Sequence, residues 1–226
     1  MARTGTISTI NNMGIQGMIF DLDGVLVDTA RFHFLAWRRL AAEWFGLDFT
    51  EQDNEQFKGV NRVACMKILC KMANAELSDE DFNRGMDVKN QWYVDMVRGM
   101  TEADVLPGAR EFVERQRGRG ILCAIGSASK NCPLVLTRTN LAGLFDAVAD
   151  GTVVTKAKPD PEVFVKAAGM LGIPPDRCVV FEDAQAGIDA AKAGGMRCCS
   201  IGRAADLAGY DWIYTALRLV DESVFV

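Results

Sequence analysis

The chain has 226 residues, 49% of them hydrophobic and 24% charged, and its formal net charge is −5. This length suits one substantial domain, or one domain that carries a smaller insertion, and the composition is that of an ordinary soluble globular protein. The negative charge argues against a broad basic surface for nucleic acid or for a membrane, although a local cluster of cations could still bind an anionic substrate.

The chain opens with a predicted tail, residues 1–14, which lacks the apolar core of a signal peptide. No uninterrupted apolar run reaches the length of a membrane span. The seven cysteines are an odd number without a C-x-x-C pair, and several lie in apolar, strand-like runs. We therefore expect a reduced, cytoplasmic protein.

The apolar run at residues 17–20 predicts a buried strand, which is followed by Asp21, Leu22, Asp23 and the turn-forming Gly24. Alternate residues of a strand point to the same side, so both carboxylates should emerge together at its carboxyl end. Two carboxylates this close repel each other unless a cation or a shared proton lies between them. Mg²⁺, a hard cation with oxygen ligands, is predicted here. Taken alone, the pair would favour the plainer interpretation, an acidic turn after a strand.

Residues 30–100, called the helical insertion below, contain no convincing strand. Amphipathic patterns recur instead, such as Phe34, Trp37, Ala41 and Trp44 at spacings of three and four. The stretch is predicted to be all-helical and to separate the first strand from the rest of the sheet. Residues 15–29 and 101–226 would then form one core domain.

Further short apolar runs predict strands over residues 121–126, 145–149, 178–181 and 196–201. Helical patterns alternate with them, which predicts an α/β fold with a parallel sheet. One helix should begin at Asp160 as N-cap with Pro161 at its first position, and end at Gly172. Another is predicted over residues 184–194.

Polar residues follow four of these strands or lie in the loops beyond them. They are Asp21 and Asp23, then Ser127, then Lys158, then Glu182 and Asp183. The carboxyl ends of parallel strands converge on one crevice. A carboxylate nucleophile, a second carboxylate for proton transfer, and a lysine, a hydroxyl and Mg²⁺ for the phosphoryl oxygens would suit phosphoryl transfer.

Each of these residues also has a plainer interpretation. Lys158 could be a solvated loop lysine, Ser127 a turn residue, and Glu182 with Asp183 a polar strand exit. Their order and spacing together favour the functional interpretation. The single histidine, His33, argues against a zinc site built on several histidines, and no G-x-x-x-x-G-K-[ST] phosphate loop is present.

With these motifs the chain resembles the haloacid dehalogenase (HAD) superfamily, from about residue 17 to residue 209. Within it, the chain is most similar to the β-phosphoglucomutase subfamily. The resemblance implies a Rossmann-like parallel-sheet core with an all-helical cap inserted after the first motif. The stretches that carry the closer similarity are FDLDGVLVDTARFHFLAW, FKGVNR, ADVLPG, SASKN, KPDPEVF and EDAQAGIDAAKAGG.

The resemblance also implies residue roles. Asp21 would be the phosphorylated nucleophile and Asp23 the general acid/base. Mg²⁺ would be bound by Asp21, the backbone carbonyl of Asp23 and Asp183, with Glu182 in or beside the coordination shell. The implied phosphate- and substrate-binding residues are Thr29, His33, Lys58, Gly59, Arg62, Lys89, Ser127, Ala128, Ser129, Lys130, Asn131 and Lys158.

Among these, Arg62 would hold the phosphate that is not transferred, Lys89 would contact the sugar, and Thr29 and His33 would couple cap closure to the chemistry. Each has an alternative: Arg62 and Lys89 could be solvated helix charges, and His33 could pack at the edge of the apolar stripe that begins at Phe34.

The expected function is a Mg²⁺-dependent mutase that interconverts β-glucose 1-phosphate and glucose 6-phosphate through an aspartyl-phosphate and a bisphosphate intermediate. One alternative is a sugar-phosphate phosphatase with the same nucleophile. Another is a binding or regulatory protein that has kept the fold and lost the activity. The expected partner is a small sugar phosphate, without nucleic acid or membrane, and the protein is expected to be a monomer.

Overall fold

The computed structural model describes residues 14–57, 60–203, 205 and 207–225. Its strands are β1 (Gly17–Phe20), β2 (Leu122–Gly126), β3 (Ala147–Ala149), β4 (Cys178–Glu182), β5 (Arg197–Ile201) and β6 (Trp212–Tyr214). They form one sheet in the order β3-β2-β1-β4-β5-β6, and every neighbouring pair is parallel. The predicted α/β fold with a parallel sheet is confirmed, and β1 lies at its centre.

The helices are α1 (Ala30–Phe45), α2 (Glu51–Asn54), α3 (Arg62–Met72), α4 (Asp79–Arg98), α5 (Ala109–Gly118), α6 (Cys132–Arg138), α7 (Glu162–Leu171) and α8 (Gln185–Ala193). The first five lie between β1 and β2, four of them (α1–α4) within residues 30–100, and residues 30–57 and 60–100 contain no strand. The boundaries of the core and of the helical insertion stay predictions. The predicted tail lies outside the described residues, except for Gly14.

Buried apolar clusters cover both faces of the sheet, because β1 at its centre has apolar side chains on both sides. Met18 and Phe20 pack into one buried cluster, while Ile19 between them packs into another. Alternation along β1 therefore points successive side chains to opposite layers. The helical insertion has a separate apolar cluster that includes Trp37 and Leu69, so it packs largely around its own interior.

Two chain segments join the helical insertion to the sheet, and they are bonded to each other. The Leu106 amide donates to the Leu26 carbonyl at 2.9 Å, and the Asp28 amide donates to the Asp104 carbonyl at 3.2 Å. Arg31, in the first turn of α1, pairs with the Asp104 carboxylate at 2.6 Å. These contacts tie the start of α1 to the segment that returns the chain from the insertion to the core.

Most predicted elements agree with the structure within two residues. Gly172 ends α7 in a left-handed conformation (φ +70°), as predicted. The predicted helix start is one residue early, because Pro161 rather than Asp160 is the N-cap. The Asp160 carboxylate nevertheless accepts a hydrogen bond from the Glu162 amide at 3.0 Å.

The sixth strand, β6, was not predicted. It is only three residues long and half-buried at the sheet edge, where it pairs with β5. So short a run carries a weak alternation signal, although Trp, Ile and Tyr all favour strands. All seven cysteines are free thiols. No helix of the described chain combines the length and apolarity of a membrane span.

Candidate active site

The site is built where β1 and β4 end side by side. The Asp21 amide donates to the Phe181 carbonyl at 2.9 Å, which continues the ladder by one residue beyond the apolar run of β1. Asp21, Glu182 and Asp183 each offer a carboxylate oxygen, and these oxygens lie within 4.8 Å of one another. The predicted meeting of the first and last motifs is therefore present in the structure.

Two glycines make room for these carboxylates. Gly24 has φ +83°, and a Cβ at this position would overlap the Asp183 carboxylate. A Cβ on Gly187, in α8, would overlap the Glu182 side chain. Gly187 was missed at the sequence level, although a glycine inside a helical pattern signals such a close approach.

Lys158 joins the two buried carboxylates. Its Nζ atom lies 2.6 Å from Asp21 Oδ1 and 2.8 Å from Glu182 Oε2, and all three side chains are buried. Burial opposes the charge on Lys158, but both carboxylates favour it and raise the pKa of the ammonium group above its usual range. The solvated-loop interpretation of Lys158 is wrong, because this cation is fully enclosed by its partners.

Glu182 uses both of its oxygens within the protein. Oε2 accepts from Lys158, and Oε1 accepts from the Ala184 amide at 3.1 Å. Burial raises the pKa of the Glu182 carboxyl to about 7, while Lys158 acts in the opposite direction. Through these bonds Glu182 holds the Lys158 ammonium group in position beside Asp21.

Asp23 is arranged differently from Asp21. Its backbone amide donates to Asp21 Oδ2 at 3.0 Å, whereas its Oδ1 atom has no hydrogen-bond partner among the described residues. Burial and the neighbouring Asp21 charge raise the pKa of the Asp23 carboxyl to about 7. A carboxyl group that titrates near neutral pH suits proton transfer in both directions.

The helical insertion contributes a pair of residues that reaches toward Asp23. Lys89 is 2% exposed, and its Nζ atom lies 2.8 Å from His33 Nδ1. The other ring nitrogen of His33, Nε2, lies 4.0 Å from Asp23 Oδ2, and the ring stacks on Tyr93. Burial lowers the pKa of Lys89 to about 7 and lowers that of His33 well below its usual value. The interpretation of Lys89 as a solvated helix charge is wrong.

A second polar cluster links the insertion to the loop after β2. Asn90 Oδ1 accepts from Arg62 Nη2 at 2.6 Å and from Asn131 Nδ2 at 2.8 Å. Arg62 begins α3 and Asn131 precedes α6, so one amide oxygen of α4 joins the insertion to the core. Asn90 was missed at the sequence level, because nothing in its spacing distinguishes it from other polar helix residues.

These groups surround a cavity of about 440 Å³ between the sheet and the insertion. The predicted residues that line it are Asp21, Asp23, His33, Arg62, Lys89, Ala128, Ser129, Lys130, Asn131 and Asp183. Thr29, Ser127, Lys158 and Glu182 are buried and do not line the cavity. The Ser127 hydroxyl accepts from the Ser129 amide at 3.1 Å and so shapes the loop. Lys58 and Gly59 lie outside the described residues.

Comparison with known proteins places this arrangement in a family. A family model described as haloacid dehalogenase-like hydrolase matches residues 15–195. The chain belongs to the haloacid dehalogenase-like hydrolase family. The resemblance in its motifs, and the fold that this resemblance implied, are thereby confirmed.

Within this HAD family, the similar proteins include both mutases and phosphatases. A β-phosphoglucomutase of Bacillus subtilis is 35% identical over 201 residues, which cover 88% of each chain. The crystal structure of a β-phosphoglucomutase from Clostridium difficile has a TM-score of 0.89 at 32% identity, over 93% of this chain and 95% of that one. A phosphorylated carbohydrates phosphatase of Thermotoga maritima is 31% identical, over 80% of this chain and 82% of its own.

Proposed function

We propose that this protein is a Mg²⁺-dependent mutase that interconverts β-glucose 1-phosphate and glucose 6-phosphate through phospho-Asp21. The observation that carries the proposal is a second cationic position in the cavity that contains Asp21. Arg62 lines this cavity and shares the Asn90 acceptor with Asn131 of the core loop. A bisphosphate intermediate needs two phosphate sites, and a guanidinium suits the second.

In the proposed reaction an Asp21 oxygen attacks phosphorus, a new O–P bond forms, and the sugar oxygen leaves with a proton from Asp23. In the reverse direction Asp23 takes the proton of the sugar hydroxyl that attacks phospho-Asp21. Lys158 supplies a fixed positive charge beside the reacting carboxylate. Such preorganised charge is the main contribution of a protein to phosphoryl transfer.

The carboxylate cluster fits a hard divalent cation. Asp21 and Asp183 present oxygens close together and line the cavity beside the backbone of Asp23, whereas Glu182 is fully buried and does not line it. We therefore propose Asp21, the Asp23 carbonyl and Asp183 as Mg²⁺ ligands, with Glu182 beside the shell. When bound, the ion would neutralise charge on the phosphoryl oxygens.

The helical insertion would exclude water, which competes with the sugar hydroxyl for phospho-Asp21. His33 and Lys89 extend from the insertion toward Asp23, so closure of the insertion can influence the proton-transfer group. Thr29, buried at the start of α1, lies at the joint between the two parts. We still expect a monomer that acts on a small sugar phosphate in the cytoplasm.

A sugar-phosphate phosphatase is the second candidate, because a carbohydrate phosphatase is among the similar proteins. One assay separates the two. The protein is given β-glucose 1-phosphate, Mg²⁺ and a trace of the bisphosphate, and glucose 6-phosphate and free phosphate are measured in parallel. Glucose 6-phosphate should predominate, and mainly free phosphate would support the phosphatase instead. No phosphoryl transfer to any sugar phosphate would support a protein that has lost the activity.

Removal of Mg²⁺ should stop the reaction. An excess of chelator is expected to abolish glucose 6-phosphate formation, because Asp21 and Asp183 would then repel each other and the phosphoryl charge. Added Mg²⁺ should restore the rate, which shows that the protein stayed folded. Full activity in excess chelator would remove the metal from the proposal.

Replacing Arg62 should separate phosphate recognition from hydrolysis. Arg62→Ala removes a charge-assisted contact of roughly 1.5–3 kcal/mol, or about ten- to a hundred-fold in any step that uses it. Mutase turnover should therefore fall at least about tenfold, while hydrolysis of phospho-Asp21 by water, which does not use the contact, stays within about threefold of wild type.

Arg98→Ala is the matched control, since Arg98 is an exposed arginine of the same helical insertion that pairs with Asp95, one turn away. It should change neither rate. Equal losses of turnover and hydrolysis in Arg62→Ala would assign Arg62 a role in folding, and no loss would make it a solvated charge.

A further inference from the structure

Asn90 of α4 holds an unusual position between the helical insertion and the core. Its Oδ1 atom accepts hydrogen bonds from Arg62 and from Asn131, at 2.6 and 2.8 Å. A carboxamide oxygen has two acceptor sites, so both are used. Asn90 is half-buried and lines the cavity together with its two donors.

The donors keep further hydrogen atoms for a ligand. A guanidinium has five N–H groups and a carboxamide has two, so Arg62 and Asn131 each spend only one bond on Asn90. Because both bonds converge on one oxygen, the remaining donors of Arg62 and Asn131 are held near each other in the cavity lining. Oxygen atoms of one phosphate group could accept from both.

The neutral amide is important here. An aspartate in this position would form a charge-assisted ion pair with Arg62 and would neutralise the cation that an anionic ligand needs. Burial holds the pKa of the Arg62 guanidinium below its usual range, while Asp87, one turn earlier on α4 and also on the cavity wall, acts in the opposite direction. An amide oxygen orients the guanidinium while leaving its positive charge available.

We propose that Asn90 is a positioning residue that aligns Arg62 and Asn131 for the phosphate that is not being transferred, and that fastens the insertion to the core before substrate binds. The identity of the ligand rests on the proposed mutase function. The fastening itself does not, because it is a contact of the protein without ligand.

Two substitutions test this proposal, with a neighbouring residue as control. Asn90→Asp keeps the shape and adds a charge, and Asn90→Ala removes the acceptor. Gln91→Ala is the control, since Gln91 is exposed and donates to Asp95, another exposed residue of the same helix. KM and kcat are measured with β-glucose 1-phosphate. Phosphorylation of Asp21 by acetyl phosphate, which has no second phosphate, is measured separately.

Asn90→Asp should raise KM about tenfold or more, the equivalent of one charge-assisted contact, while kcat changes by less than about threefold. Acetyl phosphate should phosphorylate Asp21 in every variant within about twofold of wild type. Parallel losses with both phosphoryl donors would instead show a general effect on the fold and would overturn the proposal. So would an unchanged KM in Asn90→Asp.

Hydrogen exchange tests the fastening without any turnover. The amides of Ser129 and Asn131 donate to side chains within the loop after β2. In the ligand-free protein, Asn90→Ala should make these amides exchange about fivefold faster or more, because Asn131 loses its bond to α4. Exchange equal to that of Gln91→Ala would overturn the fastening even if the mutase assay succeeds. Faster exchange in a protein that lacks mutase activity would support it and would reject only the proposed function.

Discussion

Asp21→Asn is expected to lower phosphoryl transfer by about 10³-fold or more, a loss of roughly 4 kcal/mol of transition-state stabilisation. A neutral amide is a poor nucleophile toward phosphorus, and it also loses the ion pair with Lys158 at 2.6 Å. Labelling of the protein by acetyl phosphate should disappear together with turnover, because the labelled atom belongs to Asp21.

Asp28→Asn provides the matched control for this substitution. Asp28 is an exposed aspartate in the same connecting segment, and its nearest cation, Arg31, lies 3.8 Å away. Its replacement should leave the rate unchanged. If Asp21→Asn instead kept a tenth of the wild-type rate, a loss under ~1.4 kcal/mol, then Asp21 would not be the nucleophile.

Lys158→Met is expected to have the largest effect on stability. It would leave Asp21 and Glu182 buried without the cation that they share, and a broken buried ion pair costs about 3–5 kcal/mol. Urea unfolding near neutral pH, without Mg²⁺, should show a free energy of unfolding that is lower by this amount. Turnover with Mg²⁺ should be lost as well, because the charge beside the reacting carboxylate is gone.

The pH dependence of the Lys158→Met variant gives an independent check. Without Lys158, the folded-state pKa of Glu182, already raised to about 7 by burial, should rise further. A carboxyl group whose pKa is higher in the folded state favours folding more as the pH falls, since the folded state then binds more protons. The stability difference from wild type should therefore shrink as the pH is lowered through this range.

Two further variants distinguish charge from size. Lys156→Met replaces a lysine in the same loop whose side chain is exposed, and its surface ion pair with Asp160 is worth no more than about 1 kcal/mol. The double variant Lys158→Met/Glu182→Gln removes one of the two carboxylates that Lys158→Met leaves buried without a cation. It should therefore be more stable than Lys158→Met alone, but still inactive. A loss below about 1 kcal/mol in Lys158→Met would contradict the buried charge cluster.

Local patterns in the sequence determined the framework of this protein. The apolar run before Asp21 predicted β1 in its observed position, and β2 to β5 lie within two residues of their predicted ranges. Gly172 marked the end of α7 because a left-handed residue there strongly favours glycine. Such features depend on neighbours in the chain, so they can be inferred from the sequence. The parallel order then brought Asp21 and Asp183 together, because the carboxyl ends of adjacent strands share one edge.

The tertiary structure decided the contacts between distant residues. Lys158 is 137 residues from Asp21 in the sequence, and Asn90 is 28 residues from Arg62 and 41 from Asn131. The sequence indicated that a lysine and an arginine belonged to the site. Burial of Lys158 between two carboxylates, and the convergence of two donors on Asn90, result from the packing of the helical insertion and the loops against the sheet. No local spacing encodes such contacts, since each depends on side chains that only the complete fold brings within hydrogen-bond distance.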